Sequence, residues 1–209
     1  MKSRVMKRIL VLFSATLGKD KKSLSDEALV QLIVETNDPA LFGILYDRYG
    51  KKIYNKCYSF VKDKDETQDL TQDIFLKLFM QLHKYQGRAK FSTWLYSFTY
   101  NFLVNYKKRD TSKKLGERWE NLNKNEKHVT QVEDVEDEDV FELKVSGLEK
   151  AIDLIDPADK ALLLLKYQDD VSVKDLQNLL HINESAVKMR LKRARIKLIS
   201  VYQKLQENE

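Results

Sequence analysis

Residues 91–109 read FSTWLYSFTYNFLVNYKKR, in which seven of the first sixteen residues are aromatic and three cations close the run. Rings that reach solvent stack on unpaired bases, and neighbouring Lys and Arg side chains hold phosphate, so this combination suits single-stranded nucleic acid. A second concentration of cations lies in ESAVKMRLKRARIKLISVYQKL, residues 184–205. Elsewhere the reactive residue types are thinly spread. His83, His128 and His181 are far apart in sequence, Cys57 is the single cysteine, and no glycine-rich phosphate loop or metal-ligand spacing occurs. The expectation is a protein that binds rather than catalyses, with no catalytic residues, no metal and no cofactor.

Helical periodicity sorts these residues into faces. At 100° per residue, Phe91, Leu95, Phe98, Phe102 and Tyr106 share one side with Trp94 at its border, and they are expected to form core. Tyr96 and Tyr100 fall opposite, with Thr93 and Lys107, and are expected to be exposed for base stacking; the competing reading is that each packs against another helix. In residues 184–205, Val187, Leu191, Ala194 and Leu198 form one narrow apolar stripe, while Ser185, Lys188, Met189, Lys192 and Arg193 face outward. VSVKDLQNLL and a short HIN turn precede this helix, which is the pattern of a helix-turn-helix whose second helix enters the major groove. Hydroxyl and cationic side chains there suit base edges and phosphates. DLTQDIFLKLFMQL, residues 69–82, is apolar all round: Ile74, Phe75, Leu78, Phe79 and Leu82 cover one side, Leu76 and Met80 another. A small bundle cannot bury every face of one helix, so part of this surface, rimmed by Asp69, Gln72 and Asp73, is expected to meet a protein partner.

The elements that would position these residues are helices throughout. Ser25 caps SDEALVQLIVET, Asp38 with Pro39 opens a second helix, a third runs from about Asp65 to Lys84, and after the loop YQGRAKF the aromatic helix is expected to start with Ser92 as its cap. Apolar periodicity fades over 111–140 into LNKNEKHVTQVEDVEDED, a solvated composition without the central glycine of a calcium loop. Helices resume near Phe141, with Asp156-Pro157 and Asn183 as further starts. The expected fold is all-α, with two small helical domains joined by a flexible acidic linker: an extension over 1–23, domains over 24–110 and 141–209, and the linker over 111–140.

Charge follows the same division. Residues 1–114 hold 22 Lys/Arg against 12 Asp/Glu, residues 115–160 hold 6 against 14, and residues 161–209 hold 9 against 6. Two basic parts flank an acidic one, and basic surfaces attract nucleic acid through counterion release. The opening MKSRVMKRILVLFSATLGKDKK imitates a signal peptide, but Ser14 and Thr16 interrupt its apolar run and no small-residue cleavage site follows. A poorly ordered extension, or a true start at Met6, is the expectation. No run of 18 apolar residues argues for membrane insertion, and a lone cysteine suits a reducing cytoplasm.

Taken together these segments resemble the extracytoplasmic-function group of bacterial sigma factors, from about Asp38 to Leu205 apart from the linker. DLTQDIFLKLF looks like their polymerase-clamp helix, GRAKFSTWLYSFTYNFLVNYKKR like their minus-ten segment, and residues 155–198 like their minus-thirty-five reader; Gly87 to Leu95 carries the most specific signature. The resemblance implies a dissociable subunit that brings core RNA polymerase, through its clamp and flap, to promoter DNA both as duplex and as melted single strand. By position, Tyr85, Gln86, Gly87, Arg88, Ala89 and Lys90 would shape a pocket for minus-ten bases, with Tyr96, Tyr100, Lys107, Lys108 and Arg109 beside it. Ser185, Lys188, Met189, Lys192 and Arg193 would read the minus-thirty-five element. Asp69, Gln72, Asp73, Phe75 and Leu76 would meet the clamp. An anti-sigma protein is a further partner this family admits.

Promoter elements two helical turns apart are separated by roughly 70 Å, and about 30 linker residues reach roughly 100 Å when extended. In that family the linker threads the polymerase's nucleic-acid channel, where its carboxylates can imitate RNA phosphate. Gln177 and His181 depart from the family's usual alanine and glycine. The alternative is a stand-alone helix-turn-helix regulator, which would need neither the all-round apolar helix nor exposed rings.

Overall fold

Every capping residue singled out above except Ser92 starts a helix in the computed structural model, which describes residues 23–116 and 145–207, with side chains over 23–110 and 147–207. Helix α1 spans Asp26–Thr36, and the Ser25 hydroxyl accepts from the Ala28 amide at 3.2 Å. Helix α2 spans Pro39–Val61, where the Asp38 carboxylate accepts from Ala40 at 2.9 Å. Helix α3 covers Lys64–Gln81, capped by Asp63 on the Glu66 amide at 2.8 Å, and tightens into a 3₁₀ turn over Leu82–Lys84. Such short polar side chains satisfy amide donors that the first turn leaves without intrahelical partners.

Helix α4, Phe91–Gly116, starts differently. Ser92 lies inside its first turn, and the Phe91 amide donates instead to the Glu27 carboxylate of α1 at 3.0 Å. The cap is therefore tertiary, which local sequence cannot reveal. The helix also runs past Thr111, where a linker was expected.

In the second half, α5 is Val145–Leu154 and α6 is Pro157–Leu163, with Asp156 accepting from Ala158 at 2.8 Å. A π-helical turn, Leu164–Gln168, follows. Helix α7 is Val173–Leu180, capped by Ser172, and α8 is Glu184–Gln206, capped by Asn183. No strand occurs among the described residues. The extension over 1–22 and most of the acidic linker, 117–144, lie outside them.

Leu29, Ile33, Leu45, Ile53, Ile74 and Leu95 are fully or almost fully buried in the first bundle. Burying a side chain of this size contributes about 1.5–3 kcal/mol, so these residues dominate its stability. Asp26 ties α1 to α2 by accepting from Arg48 at 2.5 Å and from the Tyr49 hydroxyl. The second bundle closes around Leu163, Leu176 and the α8 stripe Val187, Leu191, Ala194 and Leu198, all buried as the periodicity predicts. Helix α4 packs against α6 and α7, so the two bundles share an interface.

Candidate nucleic-acid interface

The loop between the 3₁₀ turn and α4 is shaped by two local constraints. Gly87 has φ +68°, a left-handed conformation that a Cβ disfavours, and the Tyr85 hydroxyl donates to the Ala89 carbonyl at 2.7 Å. Gln86, Arg88 and Lys90 are exposed as a result, while Tyr85 and Ala89 are half-buried. Against this loop, Trp94 and Phe98 stack at 26° with ring centroids 5.6 Å apart, and Tyr85 tilts onto Trp94 at 5.5 Å. Together they wall a cavity of about 420 Å³, also lined by Lys84, Arg88 and Asn101 and, from the second bundle, by Asn178, Leu179 and His181. That volume suits an unstacked base, since aromatic walls beside cations bind bases and backbone together. Lys107 is half-buried and Lys108 and Arg109 are exposed further along the same helix.

Here the ring assignment needs correcting. Tyr100, expected on the exposed side, is 1% exposed and accepts a hydrogen bond from Lys56 of α2 at 3.2 Å. Tyr96 is half-buried, with the Lys56 ammonium 4.1 Å from its ring centroid. Phe98, expected in the core, and Trp94 are the rings of α4 that line the cavity. Helix α4 is apolar on both sides because it packs against a bundle on each, and a helical wheel cannot tell two packing faces from one core and one solvent face. The competing reading of a helix-packing surface holds for Tyr100.

Lys56 is also paired with Asp169 of the second bundle at 2.5 Å, with side-chain exposures of only 5% and 6%. Burial pulls the Lys56 ammonium below its ordinary value, against the Asp169 carboxylate that supports its charge. Burial, and then the charge of Asp169, push the Tyr100 hydroxyl far above its usual range.

On α8, Ser185, Lys188, Met189 and Arg193 are exposed and Lys192 half-buried, all away from the buried stripe. Lys188 pairs with Glu184 at 2.6 Å in an exposed i,i+4 contact. The turn before α8 depends on His181, which adopts φ 54° and donates its amide to the Gln177 carbonyl. This is the left-handed position where glycine costs least, which gives the departure at 181 a physical meaning.

The clamp candidates divide in the same way. Asp69, Gln72, Asp73 and Leu76 are exposed along one stripe of α3, and Leu76 and Met80 are 65% and 66% exposed. Phe75 does not belong with them. It is 4% exposed, edge-on to Phe42 at 6.2 Å and tilted against Tyr46 at 4.7 Å, so its ring is core and Met80 takes its place at the surface.

Fold and surface define a protein of two helical bundles, one of them a helix-turn-helix unit, with exposed apolar residues Leu76 and Met80 on α3. Residues 45–113 match the family model for Sigma-70 region 2, and residues 147–198 match that for Sigma-70, region 4, together more than half of the chain. The ECF RNA polymerase sigma factor SigX of Bacillus subtilis (strain 168) is 26% identical over 152 residues, covering 70% of this chain and 76% of that protein. Among solved structures, the sigma factor RpoE in complex with the anti-sigma factor NepR from Bartonella quintana aligns with a TM-score of 0.53 at 15% identity, over 78% of this chain and 96% of that one. CnrH in complex with the cytosolic domain of CnrY aligns with a TM-score of 0.55 at 18% identity, over 85% and 97%. The chain belongs to the sigma-70 family, in its extracytoplasmic-function group of RNA polymerase sigma factors.

Proposed function

We propose that residues 24–110 form the unit that meets the polymerase clamp and opens the minus-ten element, and residues 141–209 the unit that reads the minus-thirty-five element, with 111–140 as the linker between them. One observation carries the minus-ten assignment: the Trp94–Phe98 stack walls a cavity beside Arg88 and Lys84, which supplies ring faces and phosphate partners in one place. Gln86 to Lys90 and Tyr85 complete that pocket, and Lys107, Lys108 and Arg109 hold the backbone leading from it. The exposed α8 residues contact the duplex, and the α3 stripe from Asp69 to Met80 docks on the clamp, its apolar centre ringed by polar groups as protein interfaces are.

The protein works without chemistry of its own, as a specificity subunit of an enzyme that supplies it. Such a subunit works in the cytoplasm beside polymerase; among the described residues no helix is long and apolar enough to cross a membrane. RpoE is solved in complex with the anti-sigma factor NepR, which supports an anti-sigma partner for this chain also.

The test is abortive transcription from a short duplex promoter with core polymerase and this protein alone. Promoter-dependent short RNA is expected. A plain helix-turn-helix regulator would bind the duplex and yield none.

A further inference from the structure

Met189 is an apolar side chain set in the middle of a polar surface. It is 48% exposed, and no other large apolar side chain of α8 is exposed. At 100° per residue it lies about 170° around the helix from the centre of the buried stripe, so it points almost straight away from the bundle. The other outward residues flank it. Ser185 lies one turn before it, Lys188 and Lys192 stand on one side and Arg193 on the other, and Lys188 is paired with Glu184 at 2.6 Å.

Exposure of a single apolar side chain is ordinary and assigns nothing. Position does more. When a second helix of this kind enters the major groove, the residues near its N-terminus that lie farthest from the bundle meet base edges, and cations at their flanks meet the phosphates of the two strands. Met189 sits in the second turn of α8, on that outermost line. The floor of the groove is made of hydrogen-bond donors and acceptors and of one apolar group, the C5 methyl of thymine. A thioether donates nothing and accepts only weakly. Pressed against a polar edge it would displace water without replacing the lost hydrogen bonds, which weakens binding. Against the methyl group it buries apolar surface on both sides.

We propose that Met189 is a specificity-determining residue that reads the C5 methyl group of a thymine in the minus-thirty-five element, both by apolar contact and by disfavouring base pairs that offer only donors and acceptors at that point. The inference rests on α8 being the duplex-reading helix, and adds the chemical group that its central side chain reads. It carries a corollary. Cytosine methylated at C5 presents the same methyl group, so this position should favour methylated over unmethylated cytosine.

The experiment uses holoenzyme, formed from core polymerase and the full chain, on duplex promoters whose minus-thirty-five region is randomised. Bound duplexes are sequenced for wild type and for Met189→Gln, which keeps the length of the side chain, replaces its apolar tip by an amide and changes a position that packs against nothing in the core. Wild type should enrich thymine at one position, and Met189→Gln should lose that enrichment while neighbouring positions keep theirs. On the selected promoter, deoxyuridine in place of that thymine removes the methyl group alone. Wild-type affinity should fall by about fourfold, the effect of one buried methyl group. Met189→Gln should bind both duplexes equally, and Met189→Leu, which stays apolar, should retain the preference. With cytosine at the same position, C5 methylation should tighten wild-type binding and leave Met189→Gln unchanged. A wild-type pool with no enrichment anywhere in the region would sink the reading of α8, and this inference with it. Enrichment without a thymine that depends on Met189, or equal wild-type affinity for thymine and deoxyuridine, would overturn the inference alone and leave α8 as the reader.

Discussion

Trp94 and Phe98, one helical turn apart on α4, present their stacked rings to the same cavity, whereas Tyr100 two residues further on is sealed in the core. Strand opening should follow this difference. Trp94→Ala or Phe98→Ala should leave the closed promoter complex intact and weaken opening by roughly 5- to 150-fold, the effect of about 1–3 kcal/mol of stacking per base. A promoter with a pre-melted bubble should recover part of the loss, because the DNA then supplies the unpairing cost. A fluorescent base in the minus-ten region measures both. Tyr100→Ala should act through stability instead, costing about 3–5 kcal/mol as large buried rings do; a Tyr100→Ala protein with normal stability would contradict its burial.

On α3, adjacent residues should give opposite phenotypes. Leu76→Glu and Asp73→Arg change exposed positions, so stability should move by no more than about 0.5 kcal/mol while binding to core polymerase weakens. Phe75→Ala should instead cost about 3–5 kcal/mol with no direct effect on docking. Co-elution with core polymerase, read beside thermal unfolding, separates the two.

His181 holds a left-handed backbone conformation that a Cβ makes costly. His181→Gly should stabilise the fold by about 0.5–1 kcal/mol after the greater unfolded-state freedom of glycine is counted. A higher urea midpoint at unchanged slope is the expected result. A lower midpoint would show that the imidazole makes contacts worth more than the strain.

Lys192→Ala and Arg193→Ala should weaken duplex promoter binding and each lower the salt slope by about one, because both lie off the buried stripe of α8. Affinity and slope equal to wild type at either position would remove that residue from the interface.

Burial pushes the Cys57 thiol up from 9.0 to about 11. A thiol that is harder to ionise when folded supports the folded state below its unfolded value, and that support is lost as pH rises from about 9 through about 11. Tyr49 and Tyr100, raised in the same way, add to the loss at higher pH. The urea midpoint should decline across this window. Near pH 8 iodoacetamide should modify Cys57 in urea and spare it in the native protein, since the thiolate is the nucleophile.

Local signals in the sequence located half of the eight α-helix starts described: Ser25, Asp38, Asp156 and Asn183 each act on amides within three residues, and that range is what a sequence window contains. The start of α4 was not legible, because its cap, Glu27, lies 64 residues away. The α8 stripe was correctly read since one side of that helix faces water. Helix α4 has a bundle on either side, and α3 has both a core face and an exposed apolar face. Phe75 and Leu76, or Phe98 and Tyr100, then look alike in composition, and tertiary packing alone separates them. Trp94 gave the one usable hint, at the border of the expected core.

Asp169 owes its direction to the π-helical turn before it, in which its amide donates to the Leu164 carbonyl five residues back. A π turn is an α-helix holding one residue too many. Because the bulge takes up its extra residue within its own turn, loss of a single codon within Leu164–Gln168 would restore ordinary winding and leave the residues that follow facing much as they do now. The chain can shed a residue here that an ordinary α-helical turn could not lose without turning its neighbours by about 100°.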